Sequence, residues 1–308
     1  MKERVLITGA GGMLGEAVYA AVSEKYKEIL ATDIDLNDTR LSMLDVRDID
    51  AVEKTFTAFR PAIVFHLAAL TDLEYCERHQ NDAWATNALG VENVALSAKA
   101  HDALMIYIST AGVFDGKQDE YNDFDLPKPL SYYAKTKYHG EQFVQQHLSK
   151  YFIFRAGWMM GGGLRKDKKF INKIYRQIKD GKKELFVVDD KLGTPTYTVD
   201  FAKAILKVTA TNRFGLYNQV CSGHCSRLDV AREFVSHLGL ENKIAVTQVS
   251  SDYFKDEYFA ERPASEKLVN LKLDLRKMNH MRHWKEALKD YSAIFKNDYE
   301  KGNTGAEI

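Results

Sequence analysis

Tyr133 and Lys137 stand four residues apart in Tyr133-Ala134-Lys135-Thr136-Lys137, so a helix presents both on one face. A phenol beside an ammonium group suits proton transfer. Near neutral pH a phenol is too weak an acid and its phenolate too scarce, unless a neighbouring cation lowers the pKa. The same spacing occurs on solvated helix faces, and location separates the two readings. Ser109 and Thr110 close the apolar run that precedes this segment, supplying a hydroxyl for a substrate carbonyl or alkoxide, with a turn cap as the alternative. The expected proton-transfer pair is Tyr133 and Lys137, with a hydroxyl from Ser109 or Thr110.

A second constellation lies at the start of the chain. Gly9, Gly12 and Gly15 form Gly-x-x-Gly-x-x-Gly, with Met13 and Leu14 inside it, directly after the apolar run Arg4 to Thr8. Glycines permit the tight turn and let backbone N–H groups approach a pyrophosphate, whose charge the next helix N-terminus favours. Alone the pattern is weak, but a strand before it, a helix after it and an acid ending the second strand strengthen it. That acid is Asp33, whose carboxylate can accept hydrogen bonds from adenosine ribose hydroxyls and would repel a 2′-phosphate. NAD, used as NADH, is therefore favoured. Arg40, the next arginine, leaves NADP and NADPH open.

The elements that must position these groups alternate. Strands are expected at Arg4 to Thr8, Ile29 to Asp33, Ala62 to Leu67, Met105 to Ser109 and Phe152 to Arg155, separated by helical patterns such as Ala83 to His101. Such alternation predicts an α/β, Rossmann-type, doubly wound parallel sheet, whose ligands bind at the carboxyl ends of the strands. After Trp158 the run Gly161-Gly162-Gly163 and the basic stretch Arg165 to Lys169 interrupt the pattern. We therefore expect a dinucleotide-binding domain over 1–160, rejoined by a segment near 193–218. A smaller C-terminal substrate-binding domain would comprise 161–192 and 219–308. Helices are predicted near Phe170 to Lys179, over 198–209, and through Trp284, Leu288, Tyr291 and Phe295, with Lys301 to Ile308 frayed.

Composition narrows the classes of function. The 308 residues carry 43 lysines and arginines against 43 aspartates and glutamates, so no overall field favours nucleic acid or an acidic membrane. Anions must be bound locally. No stretch approaches the roughly 20 apolar residues of a membrane span, and Met1-Lys2-Glu3-Arg4 runs into a strand without a secretory signal. A cytoplasmic protein is expected, in line with only three cysteines, Cys76, Cys221 and Cys225. Cys221, His224 and Cys225 lack a second ligand pair, so no metal site is expected.

Taken together, these segments resemble the extended short-chain dehydrogenase/reductases, and more narrowly the dTDP-4-dehydrorhamnose reductase family. The resemblance spans nearly the whole chain. It is carried by the glycine turn, His66-Leu67-Ala68-Ala69-Leu70-Thr71, Ser109-Thr110-Ala111-Gly112-Val113-Phe114-Asp115-Gly116, and Tyr133 to Lys137 continuing to Gly140-Glu141. Arg155-Ala156-Gly157-Trp158, Gly193-Thr194-Pro195-Thr196-Tyr197 with Asp200, and Arg262-Pro263 with Ser265 complete it. The resemblance implies Thr110, Tyr133 and Lys137 as catalytic residues, with Tyr133 and Lys137 also touching the cofactor. It places Ala68, Ala69 and Thr71 along the dinucleotide. Asp45, with Val46 beside it, would contact adenine, or Asp45 would cap the next helix. Trp158 and Arg262 would lie towards the sugar nucleotide, or be a core residue and a surface ion pair.

Two departures stand out. The family usually has Asp-Tyr after its Ser-Thr pair, where this chain has Ala111-Gly112, and Val64 to Ala69 looks more like the wider epimerase and dehydratase group. The implied activity is reduction of a 4-keto nucleotide sugar. Its rivals are an NAD-dependent nucleotide-sugar epimerase or dehydratase, and a non-catalytic, NAD(P)-binding regulatory subunit resembling the methionine adenosyltransferase beta subunit. The expected partners are a nucleotide-sugar substrate and, from the resemblance, a second copy in a homodimer.

Overall fold

The computed structural model describes residues 3–304. In chain order its strands are β1 (Arg4–Thr8), β2 (Glu28–Asp33), β3 (Leu41–Met43), β4 (Ile63–His66), β5 (Leu104–Thr110), β6 (Tyr151–Ala156) and β7 (Trp158–Met160). They continue with β8 (Glu184–Val188), β9 (Leu192–Gly193), β10 (Pro195–Tyr197), β11 (Gly215–Asn218), β12 (Cys225–Ser226), β13 (Ala245–Val249) and β14 (Ser265–Glu266). Seven of them form one parallel sheet in the order β11-β6-β5-β4-β1-β2-β3. This is a Rossmann-like α/β sheet. Its order reverses between β1 and β4, and the crevice outside the strand ends at such a point is where open α/β sheets take ligands.

The central strands read as unbroken apolar runs because both faces of the sheet are covered. Val5, Leu6 and Ile7 of β1 are all fully buried, the pattern of a strand packed on two sides. One face meets helices Met13–Lys25 and Thr198–Thr209 through Val18, Val22, Phe201 and Ile205. The other meets helices Ile49–Phe59 and Gly90–Ala100 through Val52, Phe56, Val91 and Val94. A third cluster gathers Ile171, Ile174, Phe234, Tyr291 and Phe295 beside the sheet. The last helix, Trp284–Thr304, contributes the apolar face of that cluster. Among the described residues, no helix is long and apolar enough to cross a membrane.

Three local features depart from expectation. The helical stretch expected at Ala83 to His101 begins at Gln80, turns π-helical over Ala85–Leu89 and resumes as Gly90–Ala100. The last helix does not fray at Lys301 but continues to Thr304, while 305–308 lie outside the described residues. Strand β3, three residues at the sheet edge, is too short to show a period.

Candidate active site

The turn after β1 is built for close approach. Gly9 has φ +70° and a Cβ there would lie 2.5 Å from Ala68 N, while a Cβ on Gly15 would lie 2.5 Å from Ala10 O. These two glycines are required by neighbouring backbone. Gly12 differs: a Cβ would meet only Gly9 O at 3.4 Å, and Gly12 caps helix Met13–Lys25 without any side-chain bond. The first N–H groups of that helix therefore lack a side-chain acceptor, and the space over them is open. That arrangement fits the pyrophosphate of a dinucleotide. Met13 and Leu14 belong to the same first turn.

At the next strand end, Asp33 Oδ2 accepts the Gly11 N–H at 2.9 Å and Oδ1 accepts that of Asp35 at 3.0 Å. The carboxylate shapes the turn while remaining half-exposed. Beside it a recess is lined by Tyr19, Asp38, Arg40, Leu41 and Lys166. Arg40 pairs with Asp38 at 2.6 Å and lies 4.5 Å from the centre of the Tyr19 ring. Asp45 is held by Arg47 at 2.6 Å, and the cap of helix Ile49–Phe59 is Asp48, which accepts from Ala51 N at 3.0 Å. Asp45 is thus not the cap. Val46 is buried, against Gly90, where a Cβ would meet its Cγ2 at 2.8 Å. Ala68 and Ala69 follow β4 beside Gly9, and Thr71, further along the loop, accepts from Lys169 Nζ at 2.9 Å through its carbonyl.

Thr110 ends β5, and Tyr133 and Lys137 lie on the helix Tyr132–His147. Alternation along β5 turns the Ser109 hydroxyl into the core, where it is buried without a partner. Thr110 is half-exposed instead, its hydroxyl acts on the Tyr133 phenol, and it accepts Gly112 N–H at 3.1 Å. Burial pushes the Tyr133 phenol up to about 12, against the pull of the Thr110 bond. Lys137 is buried, with Nζ 4.2 Å from the centre of the Tyr107 ring. Burial brings it down to about 7, while the Glu141 charge pulls it up. His66 is a strand residue whose Nδ1 lies 2.9 Å from Thr8 Oγ1; burial takes it down to about 3, so it is neutral.

Local sequence explains why this helix is fixed here. Ser131 caps it, accepting from Ala134 N at 3.2 Å, and Glu77 Oε1 accepts from Tyr132 N at 2.8 Å. Behind it, Glu141 and Arg155 form a buried ion pair. Asn87, inside the π turn, joins helix and cofactor loop. Its Oδ1 accepts Leu70 N–H at 2.8 Å, while Nδ2 donates to Leu70 O at 2.9 Å and to Thr136 Oγ1 at 3.2 Å. Sequence reasoning missed Asn87; an asparagine among Ala85, Ala88 and Leu89 was the available signal.

Trp158 begins β7. Its indole N–H donates to Glu266 Oε2 at 2.7 Å, and the Arg227 guanidinium stacks 3.6 Å from the ring centre. Arg227 makes no ion pair among the described residues, and burial takes it down to about 10. Neither Glu266 nor Arg227 was legible beforehand. The short sheet β12-β9-β14 assembles them from three distant segments. Arg262 pairs with Glu74 through Nη1 to Oε1 at 2.7 Å and Nη2 to Oε2 at 2.9 Å, and its charge acts on Arg227.

The family model described as the RmlD substrate binding domain matches residues 2–297. A dTDP-4-dehydrorhamnose reductase of Aggregatibacter actinomycetemcomitans is 30% identical over 308 residues, covering 94% of this chain and 98% of that protein. A solved dTDP-4-dehydrorhamnose reductase from Clostridium acetobutylicum superposes with a TM-score of 0.87 at 35% identity, covering 95% of this chain and 99% of that one. One from Bacillus anthracis, in complex with NADP, gives 0.86 at 33% identity, covering 94% and 99%.

Proposed function

The chain belongs to the RmlD substrate binding domain family, and on that premise we propose that it reduces the keto group of a 4-keto nucleotide sugar, as a dTDP-4-dehydrorhamnose reductase does. The observations that carry the reading are the Thr110 hydroxyl beside the buried Tyr133 phenol and the glycine turn after β1. The bound nicotinamide dinucleotide supplies the hydride. Tyr133, protonated at neutral pH, donates its proton to the former carbonyl oxygen, and an alkoxide is basic enough to take it from a phenol of pKa about 12. Thr110 orients that phenol. Lys137 and the Gly9–Gly15 turn hold the dinucleotide, together with Ala68, Ala69 and Thr71. Trp158 forms a wall of the sugar pocket, whereas Arg262, paired with Glu74, acts on the sugar side by fixing the segment that carries Glu266.

NADH is the favoured reductant in this reading, because Asp33 ends β2 at the ribose position. Arg40 and Lys166 in the adjoining recess supply cations for a 2′-phosphate, so NADPH is accepted as well. We also read the chain as two parts, 1–160 with 193–218, and 161–192 with 219–308. What supports the division is that β11 pairs with β6 in the large sheet, while the cluster around Phe234 and Phe295 draws on residues from 160 onward.

Oxidation of NADH and NADPH with dTDP-4-dehydrorhamnose and related 4-keto nucleotide sugars tests the activity. Tyr133→Phe is expected to bind cofactor within about threefold of the parent and to lose about 10²-fold or more in turnover. Unchanged turnover removes Tyr133 from the acid role, and no oxidation with any 4-keto sugar overturns the reductase reading.

A further inference from the structure

Gly112 leaves the pocket wall beside Thr110 bare, and a carboxylate from far along the chain covers it. A Cβ on Gly112 would lie 3.4 Å from Glu266 Oε1 and 3.5 Å from Thr110 Oγ1. Acid and hydroxyl thus border one small space. The Tyr133 phenol and the Arg227 guanidinium both sense the Glu266 charge. Oε2 is taken by the Trp158 indole at 2.7 Å, whereas Oε1 has no hydrogen-bond partner among the described residues.

The position of this acid is determined by close packing. Glu266 is in register with Gly193 across β14 and β9. A Cβ on Gly193 would lie 2.3 Å from the Trp158 ring, so the ring is pressed directly against that strand. Holding one carboxylate oxygen on the indole leaves the other preset, with little freedom to lose when a donor arrives. A carboxylate oxygen accepts hydrogen bonds, so the matching ligand group is a donor, which on a hexose ring is a hydroxyl.

We propose that Glu266 is a specificity-determining residue, whose free oxygen accepts a hydrogen bond from a ring hydroxyl of the hexose next to the reacting carbon. The assignment rests on the nucleotide-sugar reading of the site. It accounts for an acid in the pocket although residues 111 and 112 carry none.

Glu266→Gln tests it, because the amide carbonyl keeps the Trp158 bond while the hydroxyl meets a neutral N–H donor in place of a charged acceptor. Calorimetry of the full chain with dTDP-glucose and with dTDP, each at saturating NADPH, reads the effect. The variant should bind dTDP-glucose about tenfold or more weakly, the scale of a hydrogen bond to a charged acceptor, with dTDP affinity and melting temperature unchanged. Equal binding of dTDP-glucose by both proteins overturns the proposal, as does parallel weakening of dTDP or no binding of dTDP-glucose by the parent. Turnover of the parent scores the reductase reading separately. A parent that reduces 4-keto sugars beside an indifferent variant sinks only the role of Glu266. A selective loss in a chain that reduces none sinks only the reductase.

Discussion

Glu141 and Arg155 form a two-point ion pair sealed inside the protein, Nε to Oε1 at 2.9 Å and Nη2 to Oε2 at 2.7 Å, with side chains 0% and 4% exposed. The pair ties the helix bearing Tyr133 and Lys137 to β6, while Arg155 also lies 5.1 Å from the Phe114 ring centre. Proton donor and strand ends are thereby joined by a contact that water cannot weaken.

Removing one partner should therefore be costly. Glu141→Gln leaves the Arg155 charge buried and uncompensated, and is expected to cost about 3 to 5 kcal/mol in urea unfolding. The double change Glu141→Leu with Arg155→Met should recover most of that. A double variant as unstable as the single would deny that the uncompensated charge is the cause.

Lys137 gives stability a pH dependence of definite sign. Its pKa falls to about 7 in the folded protein from the ordinary 10.5, so the unfolded chain binds this proton more tightly. Cofactor-free protein should be penalised in full below about pH 7 and gain stability as pH rises from there towards 10.5. Lys137→Met should flatten the rise between pH 7 and 9.5, measured by urea unfolding at fixed ionic strength. Below that window His66 contributes separately, because its neutral form is favoured in the fold down to about 3.

Asn87 is fully buried and braces the cofactor loop through both edges of its amide. Asn87→Ala leaves the Leu70 N–H and carbonyl without these partners, a loss of about 1 to 3 kcal/mol for each buried group left unpaired. The KM for cofactor should rise more than the KM for sugar nucleotide in steady-state assays. Equal rises would mean that the loop is held by other contacts.

Thr110→Val keeps the shape of the side chain and removes its hydroxyl. Tyr133 loses the bond that orients it and holds its pKa down, and Gly112 N–H loses its acceptor. Turnover should fall by roughly 10-fold to 100-fold, less than the roughly 10²- to 10⁴-fold that a proton donor itself contributes, with cofactor affinity retained. Wild-type turnover in this variant would show that the phenol needs no such partner.

The sequence made the sheet legible because buried parallel strands are written as apolar runs such as Val5-Leu6-Ile7, and glycines at 9, 12 and 15 announce a turn by type alone. The catalytic helix was legible for a similar reason: Tyr133 and Lys137 are local neighbours. Glu266, Arg227 and Glu74 were not, since their meaning arises only when β9, β12 and β14 bring distant segments against Trp158, or when residue 262 meets residue 74. Periodicity likewise predicted a helical stretch at Ala83 to His101 and gave no sign of its π turn. Composition alone does not distinguish that turn from regular helix.

The π turn at Ala85–Leu89 acts as a phase correction between two stretches of helix. One residue of α-helix advances the side chains by about 100°, so excising a single residue from this turn would rotate every later position up to Ala100 relative to the turns before it. Val91, Val94, Ala95 and Ala98 would swing away from the sheet, and exposed Leu96 would swing towards it. Insertions and deletions should therefore be far less acceptable to this stretch than substitutions, even at its solvent-facing sites.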